Sequence, residues 1–306
     1  MTRRPTRLDK KFDLLREKTE QGTLKAASSN RALNKLASNQ LAVLGLAFVT
    51  IMILASVFAP LVTQYDPQKV DLRMMLKPPS ADHILGTDKI GRDVFARIIY
   101  GGRISILVGL GSALGAALIG VSIGAYTGYK GGWWDSTFLR ISEVVMSFPQ
   151  IILVLMLVTI LGQSLMNLII IFTLTGWGSL YRLTRAQMLS LREEEYVQAL
   201  RAFGLNTFTI CFKHILPNAL GPIMVNITLS TAMFILQEAG LSFLGLGVPL
   251  NIPTWGNILN VAQDLRILQN YWWVWLPSAM TISLFVLAIN FVGDGLRDTT
   301  DPTMQG

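Results

Sequence analysis

The sequence predicts an all-α polytopic membrane protein with six transmembrane helices, and three observations lead there. Of its 306 residues, 51% are hydrophobic and only 15% are charged, whereas a soluble domain carries about 25% charged residues. Six apolar runs approach the roughly 20 residues that a helix needs to cross the hydrocarbon core. No Asp, Glu, Lys or Arg stands in the middle of any of those runs.

The elements follow in order. Residues 1–40 form a basic tail, with ten lysines and arginines before residue 40 against Asp9, Asp13, Glu17 and Glu20. A basic segment ahead of a first apolar span marks the cytoplasmic side. The first run begins near residue 41 and is too long for a signal-peptide core, so no cleavable signal is expected. The runs lie at about 41–62, 104–128, 149–163, 167–184, 222–240 and 276–293. The third is short and is expected to continue back through "STFLRISEVVMSFP", with Pro149 near its start or at a kink. An even number of spans places both termini inside. The outer segments are then about 63–103, a tight turn near Gln163 to Met166, and about 241–275. They hold 8 of the 26 lysines and arginines, leaving 18 elsewhere. The 63–103 loop resists this pattern, because Lys69, Arg73, Lys77, Lys89, Arg92, Arg97 and Arg103 crowd it together with five aspartates. The organisation expected is a tail (1–40), a first span (41–62), an extracytoplasmic loop (63–103), a five-helix core (104–296) and a short cytoplasmic tail (297–306).

Composition narrows the function classes. A single cysteine, Cys211, leaves no disulfide framework and no cysteine zinc cluster. His83 and His214 have no ligand cluster around them in sequence and read as loop-structural residues. The net charge of +7 is concentrated in the tail, so nucleic acid is not an expected partner and the lipid bilayer is. Trp133, Trp134, Trp272, Trp273 and Trp275 flank apolar runs, as interfacial anchors do. Gly111, Gly115, Gly120, Gly124 and Gly128 line one face of the second run and permit close helix approach. They serve either packing within the bundle or a seam with a second subunit. Glu238, at the outer end of the fifth run, reads as an interfacial acid or a partner of a loop arginine; contact with a substrate amine is the alternative.

One stretch breaks the succession of apolar spans: "EYVQALRAFGLNTFTICFKHILPNALGPI", Glu195 to Ile223. Apolar residues recur at Tyr196, Ala199, Leu200 and Phe203, the spacing of an amphipathic helix, with Glu194, Glu195, Gln198 and Arg201 opposite. Gly204 interrupts it. Phe208, Cys211, Phe212 and Ile215 repeat the spacing after an expected N-cap at Asn206. Pro217 and Pro222 are expected to stop this second helix and start the next span. Two short helices meeting at a glycine, within a segment of about 193–221, either anchor the chain at the interface or dock a soluble partner.

Here the sequence resembles the inner-membrane permease subunits of binding-protein-dependent ABC importers. Their loop signature (Glu-Ala-Ala, three residues, Gly, nine residues, apolar-X-Leu-Pro) is matched by Gln198-Ala199-Leu200, Gly204 and His214-Ile215-Leu216-Pro217. Gln198 replaces the acid and Leu200 the second alanine. "HILGTDKIGRDVFARIIYGGRISI" (His83 to Ile106), "EAGLSFLGLGVPLNIPTWGNIL" (Glu238 to Leu259) and "NFVGDGLRDTTDP" (Asn290 to Pro302) are similar to the C-type subunits of oligopeptide, dipeptide and nickel importers. The resemblance implies a type I ABC importer permease fold in a prokaryotic plasma membrane. It implies a homologous B-type permease, two cytoplasmic ATPase subunits and an extracytoplasmic solute-binding protein as partners. The stretch from Glu195 to Pro217 would be the ATPase-coupling hairpin. ATP and Mg would sit on the ATPase subunits, because "GTDKIGRD" lacks the Gly-Lys-Ser/Thr of a phosphate loop. No enzymatic site and no cofactor are therefore expected in this chain. Peptide, nickel or another small solute would be the cargo. An ion-coupled secondary transporter is the competing class, and it would place ionisable residues at mid-membrane depth.

Overall fold

The computed structural model describes residues 39–300, so the expected basic tail and the end of the C-terminal tail lie outside the described residues. Regular structure within them is helical, apart from one isolated bridge between Thr87 and Asp93. The helices are α1 Gln40–Val57, α2 Ala59–Val62, α3 Val94–Lys130, α4 Gly132–Ser147, α5 Gln150–Leu161, α6 Leu165–Leu191, α7 Glu195–Ala202, α8 Thr207–Thr209, α9 Leu216–Phe243, α10 Trp255–Leu259, α11 Leu265–Asn270 and α12 Trp272–Thr300.

The expected count of six spans is not reproduced by length and composition. Among the described residues, four helices qualify as membrane spans: α1, α3, the continuous run Thr207–Phe243, and α12. A fifth is reached only if α4 and α5 count together, and these two are bent by 86° at Phe148–Pro149. Pro149 thus stands at the start of the third run's helix, as expected, but the continuation back through α4 turns a corner. Proline has no N–H and pushes the residue before it out of the helical region. Phe148 is accordingly extended, at φ −89° and ψ 140°. The second span also starts earlier than expected. Asp93 caps α3 by accepting from the Ala96 N–H at 2.6 Å, so residues 94–103 are helix rather than loop.

α3 and α6 form the spine. A Cβ on Gly120 would lie 2.6 Å from the Trp177 carbonyl oxygen, one on Gly124 2.7 Å from that of Tyr181, and one on Gly128 3.0 Å from that of Arg185. Gly115 faces the Thr173 side chain just as tightly, whereas Gly111 leaves Ile169 at 3.7 Å. The glycine face is therefore occupied by α6 of the same chain. α1 packs on α12, where Gly45 approaches the Ala288 carbonyl. The Asn39 amide donates to Asp298 Oδ2 at 3.1 Å, which brings the first and last described turns to the same end.

The segment 63–93 folds back over the helix ends around a buried carboxylate. Asp88 accepts from Arg92 Nε at 2.7 Å, from Arg97 Nη1 at 2.5 Å, and from the Ile90 and Arg92 backbone N–H groups at 3.0 Å each. Arg103 donates to the Ser56 and Val57 carbonyls at 2.5 and 2.8 Å, where the C-terminal end of α1 attracts positive charge. Three of the seven basic residues that strained the topology are thus taken up internally. His83 bonds Asp93 through Nδ1 at 2.8 Å and rests on Tyr65.

Residues 254–257 pack against the first turns of α3 at Gly101 and Gly102. Trp255 is fully buried against Phe285; its backbone N–H donates to Ser105 Oγ at 3.1 Å and its indole to the Ile98 carbonyl at 3.0 Å. Ser105 Oγ in turn donates to Glu238 at 3.1 Å, and Ser242 Oγ does so at 2.7 Å. Glu238 is 0% exposed. It is therefore neither interfacial nor an arginine partner, but a buried acceptor that ties α3, α9 and this segment together.

Two outcomes follow from this packing. Gly120→Ala should cost about 1–3 kcal/mol, the usual range for overpacking, and lower the thermal midpoint of the detergent-solubilised protein, while Gly111→Ala should leave it unchanged. Equal midpoints for the two variants would contradict the close contact. The second concerns Asp88. Burial alone would raise its pKa, but Arg97, Arg92 and two backbone N–H groups hold it below the ordinary 3.8. A depressed carboxylate pKa means that the stabilisation is complete above the ordinary value and disappears as pH falls through the folded value. Pepsin should therefore cut the 63–93 segment only below about pH 3.8 in the native protein, whereas Asp88→Asn should expose it at every pH at which pepsin acts.

Candidate docking hairpin

α7 and α8 meet at Gly204 as the sequence suggests, and the join is a helix-ending motif of defined geometry. Gly204 has φ +74°, a conformation that costs an L-residue with a Cβ about 1–2 kcal/mol. Its N–H donates to the Arg201 carbonyl at 2.9 Å, and the Leu205 N–H reaches back to the Leu200 carbonyl at 3.3 Å. These two bonds are the Schellman pair, and Leu200 and Leu205 both pack on the buried cluster beneath the hairpin. Asn206 then caps the second arm, its side chain accepting from the Thr209 N–H at 2.7 Å. Nothing lies within 4 Å of a Cβ placed on Gly204. The constraint there is backbone angle, not space.

The faces of α7 differ from expectation. Val197, which the spacing argument passed over, is fully buried, and Leu200 packs beside it on Cys211, Ile215, Met188 and Tyr129. Tyr196 (39% exposed), Ala199 and Phe203 (82%) instead point outward, with Glu195 and Gln198. In the second arm Cys211 and Ile215 are buried, while Phe208 is 64% exposed with its ring 4.6 Å from that of Phe212. The hairpin thus buries one apolar line to hold itself and leaves a second, largely aromatic line uncovered. Two adjacent apolar lines satisfy the same helical period, so spacing alone could not choose between them.

Polar contacts fix the hairpin to the spine. Arg201 donates to Tyr129 Oη at 3.1 Å and lies over that ring at 5.0 Å. Arg192 donates to the Gly128 carbonyl at 3.3 Å. Asn218 donates to Tyr196 Oη at 3.2 Å and to the His214 carbonyl at 2.9 Å, bridging the two arms. About two turns back along α6, Arg185 grips Asp135 of α4 with two bonds, at 2.5 and 2.6 Å. Tyr129, Arg192, Asn218 and Asp135 carried no signal in sequence beyond being polar or aromatic residues near helix ends.

The second arm does not stop at Pro217. Residues Ile210–Ile215 form a π-helical turn in which the Leu216 N–H donates to the Cys211 carbonyl, and α9 continues from it without a break. A proline has no N–H to offer the preceding turn and crowds the carbonyl four residues back. Widening the helix just before Leu216 and Pro217 accommodates that crowding, so the chain passes straight from hairpin into span. Pro222 likewise sits inside α9.

Comparison with known proteins gives the family. Residues 120–306 match the model of the binding-protein-dependent transport system inner membrane component family, and residues 29–79 match the N-terminal transmembrane domain of oligopeptide transport permease C. The chain is 41% identical over 274 residues to the dipeptide transport system permease protein of Alkalihalophilus pseudofirmus, covering 90% of both chains. It is 40% identical over 274 residues to the oligopeptide transport system permease protein of Bacillus subtilis, covering 90% of this chain and 89% of that one. The dipeptide permease of the same bacterium is also 40% identical over 274 residues, covering 90% and 85%.

Proposed function

Because the chain belongs to the family of binding-protein-dependent transport inner membrane components, we propose that it is the C-type permease subunit of a peptide importer, pairing with a homologous B-type subunit to enclose the path. It has no catalytic site of its own. Energy comes from two ATPase subunits, which hold the ATP and Mg, and an external solute-binding protein delivers the cargo. The names of the relatives favour peptide over nickel.

The observation that carries the coupling role is the uncovered aromatic line of the hairpin. Phe203 and Phe208 stand 82% and 64% exposed on an element otherwise anchored by buried side chains. Apolar side chains gathered on a polar-rimmed projection mark an interaction site. Because the second arm runs unbroken into α9 and Arg201 holds the first arm to Tyr129, a push on the hairpin moves α9 and α3 together. The ATPase dimer, closing on ATP, would thereby bias a two-state change of access across the membrane.

The six-crossing topology with both termini cytoplasmic is retained in this reading. The Asn39–Asp298 bond supports an even number of crossings. α6, at 27 residues, has the length to span, and the α4–α5 corner supplies the remaining passage.

The glycine tests the coupling. Gly204→Val should insert and pair normally, yet lose most of the binding-protein-stimulated ATP hydrolysis per assembled complex, with uptake collapsing. Gly204→Asn, which tolerates a positive φ, should retain most of both. Full stimulation and uptake in Gly204→Val would overturn the assignment.

A further inference from the structure

Several polar side chains of the membrane-spanning part share one helix face. Along α9, Asn226, Ser230, Met233, Gln237 and Gly240 follow one another at intervals of four, three, four and three, a single helix face. None of the five is buried: Asn226, Ser230 and Gln237 are half-buried, and Met233 and Gly240 are exposed. The Ser230 hydroxyl donates to Asn226 Oδ1 at 3.4 Å. The Gln237 amide donates to Gln150 Oε1 at 3.1 Å, while Gln237 Oε1 has no partner among the described residues.

Gln150 is the first residue of α5, immediately after the 86° corner. The far ends of α5 and α9 are tied by the Gln163 amide donating to the Gly245 carbonyl at 2.9 Å. Both glutamines stand in segments read as membrane-spanning, Gln150 as the first residue of α5 and Gln237 six residues before the end of α9. Beside the corner lies a cavity of about 220 Å³ lined by Met146, Phe148, Gln150, Leu153, Thr175 and Ser179.

Lipid cannot satisfy a carboxamide or the open backbone of a broken helix; such groups are tolerated at membrane depth where they are buried in protein or line a water-filled cavity, and this face of α9 is not buried. We infer that the face Asn226–Ser230–Gln237, with Gln150 at the corner, is this subunit's wall of the translocation path and hydrogen-bonds the main chain of the passing peptide. The inference deepens the peptide reading above and rests on it for the identity of the cargo. Each carboxamide carries both donors and an acceptor, the complement of a peptide group. The wall carries no charge, so it does not discriminate among side chains. The Gln150–Gln237 bond then closes the wall when no peptide occupies it and exchanges for peptide amides when one does.

The test uses the assembled transporter with its partner permease, ATPase subunits and binding protein, in a Cys211→Ser background. Asn226→Cys and Gln237→Cys should react with a water-soluble charged thiol reagent about tenfold faster or more than Met224→Cys, because reaction needs the solvated thiolate. Met224 is 48% exposed on the opposite face of α9. Equal rates would overturn the inference. Separately, Gln237→Leu should lower the peptide translocated per ATP hydrolysed by about tenfold, the effect of one lost hydrogen bond, and alike for tripeptides of different side chains. An unchanged ratio would overturn the main-chain contact. Fast labelling on the stripe, in a complex that moves no peptide even without substitutions, would uphold the path wall and sink the peptide reading instead.

Discussion

The contact on which the rest depends is the approach of α3 to α6 across Gly115, Gly120, Gly124 and Gly128. Lipid tails are as apolar as leucine, so burying leucines gives helices in a bilayer no reason to associate. Backbone contact does, through dispersion over a long interface. Carbonyl oxygens of α6 crowd the Cβ positions of Gly120, Gly124 and Gly128, and the Thr173 side chain that of Gly115, so the two helices have one register available. That register places Tyr129 and Gly128 of α3 beside Arg201 and Arg192. The hairpin is thus positioned by glycines up to about four turns away along α3.

From that spine the structure extends in two directions through polar anchors. At one end, the hairpin is held by Arg201, Arg192 and Asn218, and Arg185 locks α4 to α6. At the other, Glu238 collects the hydroxyls of Ser105 and Ser242, and Ser105 receives the Trp255 N–H. Buried polar groups satisfied in this way cost little to keep and much to break. They divide the molecule into a braced body and two uncovered surfaces, the aromatic edge of the hairpin and the neutral polar face of α9. In the function proposed above, the first would receive force from a partner and the second would meet the cargo.

Much of this was legible in the sequence, and the misses have physical causes. The glycine spacing, the hairpin, its break at Gly204 and the cap at Asn206 could all be read, because each depends on local backbone chemistry. Which line of α7 turns inward could not be read. Val197 and Phe203 belong to neighbouring stripes of one helix, and only the body behind them decides. Pro149 announced a break but not a right-angled one, because the angle is set by what α4 and α5 pack against. Pro217 was read as a stop, whereas a π-turn absorbs it. Glu238 looked interfacial because its partners, Ser105 and Ser242, have no individual signature and Ser105 is 133 residues away. Gln150 and Gln237 were invisible for the same reason: they become a pair only when the corner folds.

The central claim is that the aromatic edge of the hairpin is a protein-docking surface and not a membrane anchor. The most direct measurement replaces Phe203 with a photoreactive benzoylphenylalanine in the complete transporter and identifies what it captures on illumination. Capture of an ATPase subunit, reduced when excess unlabelled wild-type permease competes for that subunit, is the expected result. Adducts with phospholipid alone, in a complex that still carries its ATPase subunits, would contradict the account.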